Sequence, residues 1–136
     1  MSVSHHELAR EFFAHLSRGD LPDELFTDDV AVWTNSSGAS TKARYQGGVK
    51  LLQTLFPEGL AYRVDSLTAE DDRVAAEVRG RGRLESGEEY LNTYVFVFRI
   101  RDGRIAAIAE HSNSIVVREK IVPLLQAAAL QAAAKQ

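Results

Sequence analysis

The chain contains no cysteine. That absence excludes a disulfide framework and thiolate catalysis, and it agrees with a reducing compartment such as the cytoplasm, where the protein is expected. No run of residues approaches the ~18 consecutive apolar positions of a membrane span. The opening residues, MSVSHHELARE, are polar and lack the apolar core of a secretory leader. An excess of one charge is missing too. Sixteen basic residues stand against 19 acidic ones, a net charge of -3, so no overall field draws nucleic acid or an anionic membrane, and neither is expected as a partner. What is present is 136 residues, 45% of them hydrophobic, enough for a single domain over 1–136 with a sizeable core.

Ser4 and Glu7 have capping-box spacing, and Leu8, Phe12, Phe13 and Leu16 form a stripe of helical period. Together they predict a helix over 4–17, ended at Gly19. PDELF reads as one helical turn, VAVWT as a strand, NSSGAS as a loop and KARYQ as an edge strand. Val49, Leu52, Leu55 and Phe56 predict a second helix, opened by Gly47-Gly48 and stopped before Pro57. A meander of strands follows: YRVDSLTA, RVAAEVRGRGRL, YLNTYVFVFRI and RIAAIAEHSN. From about residue 115 the tail is helix-forming, with Pro123 able to kink or restart it. This order implies an α+β domain whose curved, mostly antiparallel sheet covers its apolar face with the early helices.

Asp102-Gly103 favours a two-residue hairpin, which would pair Ile100 with Ile105, Tyr94 with His111 and Asn92 with Asn113. One face then carries Phe98, Phe96, Tyr94 and Asn92 beside Ala107, Ala109, His111 and Asn113, apolar near the turn and polar at the far end. In the preceding hairpin a two-residue turn would bury Arg79, Arg81 and Arg83, at a cost of about several kcal/mol. A three-residue loop, Glu85-Ser86-Gly87, instead turns Val74, Ala76, Val78, Gly80 and Gly82 to that face. Gly80 and Gly82 would leave room there for a cavity.

His111 is the candidate general acid or base at the cavity wall; the competing reading is a neutral buried histidine satisfied by Tyr94 or a backbone carbonyl. Glu110 alternates to the other face in this register. Asn92 and Asn113 are candidates to hold a substrate carbonyl, or else to satisfy each other across the strands. Tyr94 is either an oxyanion donor or a core aromatic, and Trp33 and Tyr62 are candidates for the wall. No metal site is expected, because His5 and His6 point apart on a helix and no third ligand is near. Leu91, Thr93, Val95 and Val97 alternate to the outer sheet face, whose apolar character implies that it is covered.

The pieces FFAHLSRGD, LFTDDVAVW, YQGGVKLLQTLF and GEEYLNTYVFVFRIRDGRIAAIAEHSN occur in this order and cover most of the chain. They resemble the superfamily of SnoaL-like polyketide cyclases, ketosteroid isomerases and nuclear transport factor two-like domains. The resemblance implies a cone-shaped half barrel, its sheet wrapped around the helices, with a pocket for a small hydrophobic molecule at the wide end and no cofactor. It also implies a homodimer, here through the outer sheet face. Ketosteroid isomerases use a tyrosine on the first helix, where Phe12 stands, and a carboxylate after the first strand, where Thr34-Asn35 has none. Epoxide hydrolases of this fold use an Arg-x-Asp pair and a last-strand aspartate, and SnoaL-type cyclases a late-strand aspartate. Val78, Gly80 and Asn113 stand at those places. Phe12, Gly80 and Phe96 are accordingly expected to line the ligand. The functional expectation is an isomerase, cyclase or hydratase using His111, the alternative being a non-catalytic ligand-binding or dimerisation domain.

Overall fold

A computed structural model of the chain describes residues 4–134, so positions 135 and 136 of the expected tail lie outside the described residues. The first helix, α1 (His5–Leu16), starts where Ser4 Oγ accepts the Glu7 N–H at 3.1 Å, and it buries Leu8, Phe12, Phe13 and Leu16. Gly19, with φ at +68°, turns the chain out of it. A single 3-10 turn at Asp23–Leu25 leads into β1 (Phe26–Thr34), which pairs antiparallel with the short β2 (Gly38–Ser40).

The stretch expected as an edge strand, KARYQ, is helical. It forms the first part of α2 (Lys42–Gln53), capped by Thr41 Oγ1, which accepts the Arg44 N–H at 3.2 Å. Tyr45, Val49, Leu52 and Phe56 continue one stripe at helical spacing, and that stripe overrides the two glycines inside the helix. β3 (Ala61–Glu70), β4 (Arg73–Arg83), β5 (Glu89–Arg101) and β6 (Arg104–Ser112) complete an open six-stranded sheet in the order β2-β1-β6-β5-β4-β3. All neighbours are antiparallel except β1 and β6, which run parallel. The result is the half barrel: Phe12 and Phe13 of α1 pack edge-on against Phe96 and Phe98, with ring centres 4.9 to 5.9 Å apart.

After the sheet, the tail forms α3 (Ser114–Val116), a π-helical turn over Val117–Ile121 and α4 (Val122–Ala134). Pro123 lacks an N–H and crowds the preceding turn, and just before it the hydrogen bond widens, Val122 N–H reaching Val117 O. Ile121 anchors the tail in a second apolar cluster with Phe56, Leu60, Leu84 and Tyr90. Among the described residues no helix is long and apolar enough to cross a membrane.

The two hairpins behave differently. β4 and β5 take the expected register, with Val78 opposite Tyr94 and Gly80 opposite Asn92. β5 and β6 begin as expected, Ile100 opposite Ile105, but the next partner of Arg99 is Ala107. Ala106 is thus an extra residue, a β-bulge, and every later side chain of β6 changes face. Ile108, Glu110 and Ser112 turn inward; Ala107, Ala109 and His111 turn outward. Without the bulge the core would receive two alanines and expose Ile108. With it, Ile105 and Ile108 are both buried, and full burial of an isoleucine contributes about 1.5–3 kcal/mol. We expect Ile108→Ala to destabilise by about 2–5 kcal/mol in urea unfolding. An unbulged register would leave Ile108 on the surface, where the change would be worth no more than about 0.5 kcal/mol.

Candidate active site

The last turn of α1, the inner face of α2, the ends of β1, β5 and β6 and the start of the tail enclose a cavity of about 260 Å³. Its walls are apolar where Leu16, Val49 and Leu52 face Val117, Ile121 and Leu125 of the tail. All four tyrosines of the chain, Tyr45, Tyr62, Tyr90 and Tyr94, line it, together with Glu110. Ser36, Ser37 and Arg44 are exposed and form part of its rim.

The bulge aims Glu110 into this space from the middle of the sheet, between Phe96 of β5 and Thr34 of β1. Tyr45 Oη donates to Glu110 Oε1 at 2.8 Å. Burial raises the Glu110 carboxyl above its ordinary value, and the Tyr45 hydrogen bond opposes the rise. Tyr94 lies diagonally across the β5–β6 ladder from Glu110, a spacing of about 7–8 Å between backbones. Its hydroxyl is 2.8 Å from that of Tyr90, and Asn92 Nδ2 donates to Tyr90 Oη at 3.0 Å. Tyr62 is hydrogen-bonded to Tyr94 as well, so three phenols form a chain whose two internal bonds use two of its three protons and leave one for a ligand. Burial, reinforced by the Glu110 charge, raises all four phenols, so they act as neutral donors. A carboxyl group with a raised pKa thus faces phenols that keep their protons. Such a set can take a proton from carbon and stabilise the oxyanion that results. Among the described residues no three His, Asp or Glu side chains cluster in a way that would hold a metal ion.

Of the residues singled out in the sequence, Tyr94 and Tyr62 line the cavity. His111 does not: it lies on the outer face, its ring 5.0 Å from that of Trp33, which is on that face as well. Asn92 is buried, and its amide is used up on Tyr90 Oη and on the backbone N–H and C=O of Asn113. The Asn113 side chain accepts the Ile115 N–H at 3.1 Å and caps the tail, so the two amides do not pair with each other. Gly80 gives no open space, because a Cβ there would stand 2.8 Å from Tyr94 Cε1; the tyrosine ring fills the room. Phe56 does the same at Gly82. Phe12 and Phe96 are wholly buried beneath the cavity rather than on its wall.

Glu110 and Tyr45 are the functional candidates that sequence reasoning missed. The signals were the three-residue spacing of Ile105 and Ile108, which no straight strand can bury, and the helical stripe running from Tyr45 to Phe56.

In the fold the raised Glu110 carboxyl keeps its proton to a pH at which the unfolded chain has lost it. Over that interval the folded protein binds more protons, so stability falls as pH rises from the ordinary value of 4.5 through the raised native one. Glu110→Gln should abolish this loss, seen as a melting-temperature advantage over wild type that grows across the window; a difference independent of pH would contradict it. Tyr45→Phe removes the opposing hydrogen bond and should carry the Glu110 midpoint higher in a carboxyl-carbon NMR titration.

The sequence profile described as the SnoaL-like domain matches residues 9–108, most of the chain. Comparison with curated protein sequences finds no match. Among solved structures, IdmH from Streptomyces antibioticus, a proposed polyketide cyclase, superposes with a TM-score of 0.73 at 19% identity, over 82% of this chain and 93% of that one. A proposed isomerase from Bacillus subtilis gives 0.69 at 24% identity, over 84% of this chain and 89% of that one. An NTF2-like protein from Anabaena variabilis gives 0.69 at 22%, over 80% and 86%. At such identities the superpositions establish a common fold. The profile runs from α1 to Ile108, two residues short of Glu110 and without the tail, and on that match the chain belongs to the SnoaL-like domain family.

Proposed function

We propose that the chain is an acid–base catalyst of the isomerase or cyclase kind, acting without a cofactor on a small, mainly hydrophobic carbonyl compound held in the cavity. The observation that carries this reading is Glu110, a half-buried carboxyl group that shares its cavity with four tyrosines and has one oxygen held by Tyr45. In its ionised form Glu110 takes a proton from the carbon next to the substrate carbonyl. The carbonyl oxygen, becoming an enolate, accepts a hydrogen bond from the phenol proton left over in the Tyr62–Tyr94–Tyr90 chain. In a substrate whose enolate is conjugated with a carbon–carbon double bond, Glu110 then returns the proton to the far carbon of that system and the double bond shifts, which is isomerisation; alternatively the enolate carbon attacks a second carbonyl, whose oxygen takes the proton back from Glu110, which is cyclisation. A raised carboxyl pKa suits the task, because it makes the ionised group a stronger base. The late-strand carboxylate that the family resemblance asks for is supplied by Glu110 in place of Asn113. His111 has no part in this scheme. Nothing in the scheme needs an oxidising compartment, and we keep the cytoplasm as its setting.

The test is exchange of α-protons of small cyclic ketones for deuterium in D2O. Glu110→Gln should lose about 10²–10⁴-fold in rate, while His111→Ala should exchange like wild type. Undiminished exchange by Glu110→Gln would sink the assignment.

The outer face favours a second property, a homodimer. Trp33, Leu91 and Val95 are 40%, 52% and 41% exposed on it, beside an open groove of about 510 Å³ that includes His111 and Asn113. In the groove Arg79 binds both oxygens of Asp65 at 2.9 and 3.0 Å and Ser66 donates to Glu77 at 2.7 Å, so the apolar row is what a second copy would cover. If the cavity binds nothing, a dimerisation domain is the reading that remains. Sedimentation velocity should find a dimer that Leu91→Arg together with Val95→Arg converts to monomer; a monomeric wild type at tens of micromolar would remove this property.

A further inference from the structure

The rim of the cavity carries a group that the proton-transfer chemistry does not use. Arg44 lies in the first turn of α2, next in sequence to Tyr45, and lines the same cavity from its exposed edge. Tyr45 turns inward to Glu110, whereas Arg44 stands with the hydroxyl-bearing Ser36, Ser37 and Ser40. The other cation of the same helical turn, Lys42, is matched with Asp23 at 3.4 Å. Arg44 has no carboxylate partner among the described residues. The one carboxyl group that shares its cavity, Glu110, is governed by burial and by Tyr45, with no cation lowering it. The cavity is therefore polar both inside, at the carboxyl and phenols, and at its exposed edge, at the guanidinium and hydroxyls.

We propose that the substrate is a small carboxylic acid, a one- or two-ring ketone whose carboxylate projects from the cavity mouth to Arg44 while its carbonyl lies at the tyrosines. This rests on the reading of the cavity as a proton-transfer site and narrows its substrate class. The guanidinium fork matches a carboxylate in two parallel hydrogen bonds, the geometry for which arginine is suited and lysine is not. Size points the same way. The cavity's 260 Å³ falls below the ~300 Å³ at which pockets for drug-sized ligands begin. A compact ring fills it, and a substituent carried outside the mouth needs no further volume. Charge also fits: with Glu110 ionised, a second anion in the pocket is tolerable only at a distance and beside a cation.

The probes are 3-oxocyclohexane-1-carboxylate and its methyl ester, compared by calorimetry and by α-proton exchange in D2O. The acid should bind wild type about tenfold more tightly than the ester, the factor expected of one exposed charge-assisted contact. Arg44→Gln should bring the acid down to the ester's affinity, Arg44→Lys should keep part of the preference, and raised salt should weaken the acid alone. Equal affinity of acid and ester, a preference that survives in Arg44→Gln, or no binding of either at millimolar concentration would each overturn the proposal. The exchange readout separates it from the reading beneath. Selective, Arg44-dependent binding without exchange leaves the carboxylate site standing and removes Glu110 as base. Glu110-dependent exchange of acid and ester alike, indifferent to Arg44, does the reverse.

Discussion

Ile105 and Ile108 must both be buried, although they are three residues apart on one strand. A β-strand shows alternate residues to alternate faces, so the two can share the core only if one residue between them is taken out of the ladder. Ala106 is that residue. Once it bulges, the rest of β6 is committed: Glu110 and Ser112 face the helices, and Ala109 and His111 face away. The cavity, the carboxyl inside it and the composition of the outer face all follow from this one slip. Two alanines cannot substitute for an isoleucine in a core already lined by Phe96 and Phe98, and this difference in burial outweighs the local loss of pairing.

The slip carries a cost, because it places an ionisable side chain in a low-dielectric site. Charged burial is tolerated only with partners or through a changed pKa, and Glu110 shows both. Tyr45 supplies one hydrogen bond, and desolvation raises the carboxyl until its neutral form is easier to reach. The surrounding phenols are in turn held neutral by the same burial and by the same negative charge. Gly80 belongs to this arrangement, since only a residue without Cβ lets the Tyr94 ring lie over β4. Stability and chemistry are coupled here: what makes Glu110 awkward to bury is what fits it to move protons.

The sheet divides its labour by face. Its inner side carries the aromatic core at one end and the tyrosine-lined cavity at the other, with the tail anchored over the latter by Ile121. Asn92 ties β5 to the start of that tail through the Asn113 backbone, so its amide holds the cavity's shape from behind. The outer side is apolar along Trp33, Val95 and Leu91 and salt-bridged toward β3. Arg44 marks the boundary where the enclosed space meets water.

Much of this could be read from residue order alone. The Ser4 cap and the stripe from Leu8 to Leu16 specify α1, since both are local. The β4–β5 register follows from the cost of burying arginines on the wrong face. The half barrel follows from the succession of elements and from the family resemblance. These depend on period, capping and charge within short stretches. The helical state of Tyr45 was also written locally, in its spacing to Val49 and Leu52, but the adjacent glycines concealed it. The face taken by Glu110 and His111 was different in kind. The Asp102-Gly103 turn favours the straight ladder, and that local preference was correct for its first two pairs. Beyond them, the choice lay between Ile108 and its alanine neighbours as partners for α1 and β5, a comparison that exists only when the sheet is wrapped on the helices. Register in a strand is settled by what the opposite layer accepts, and that layer is assembled by tertiary packing.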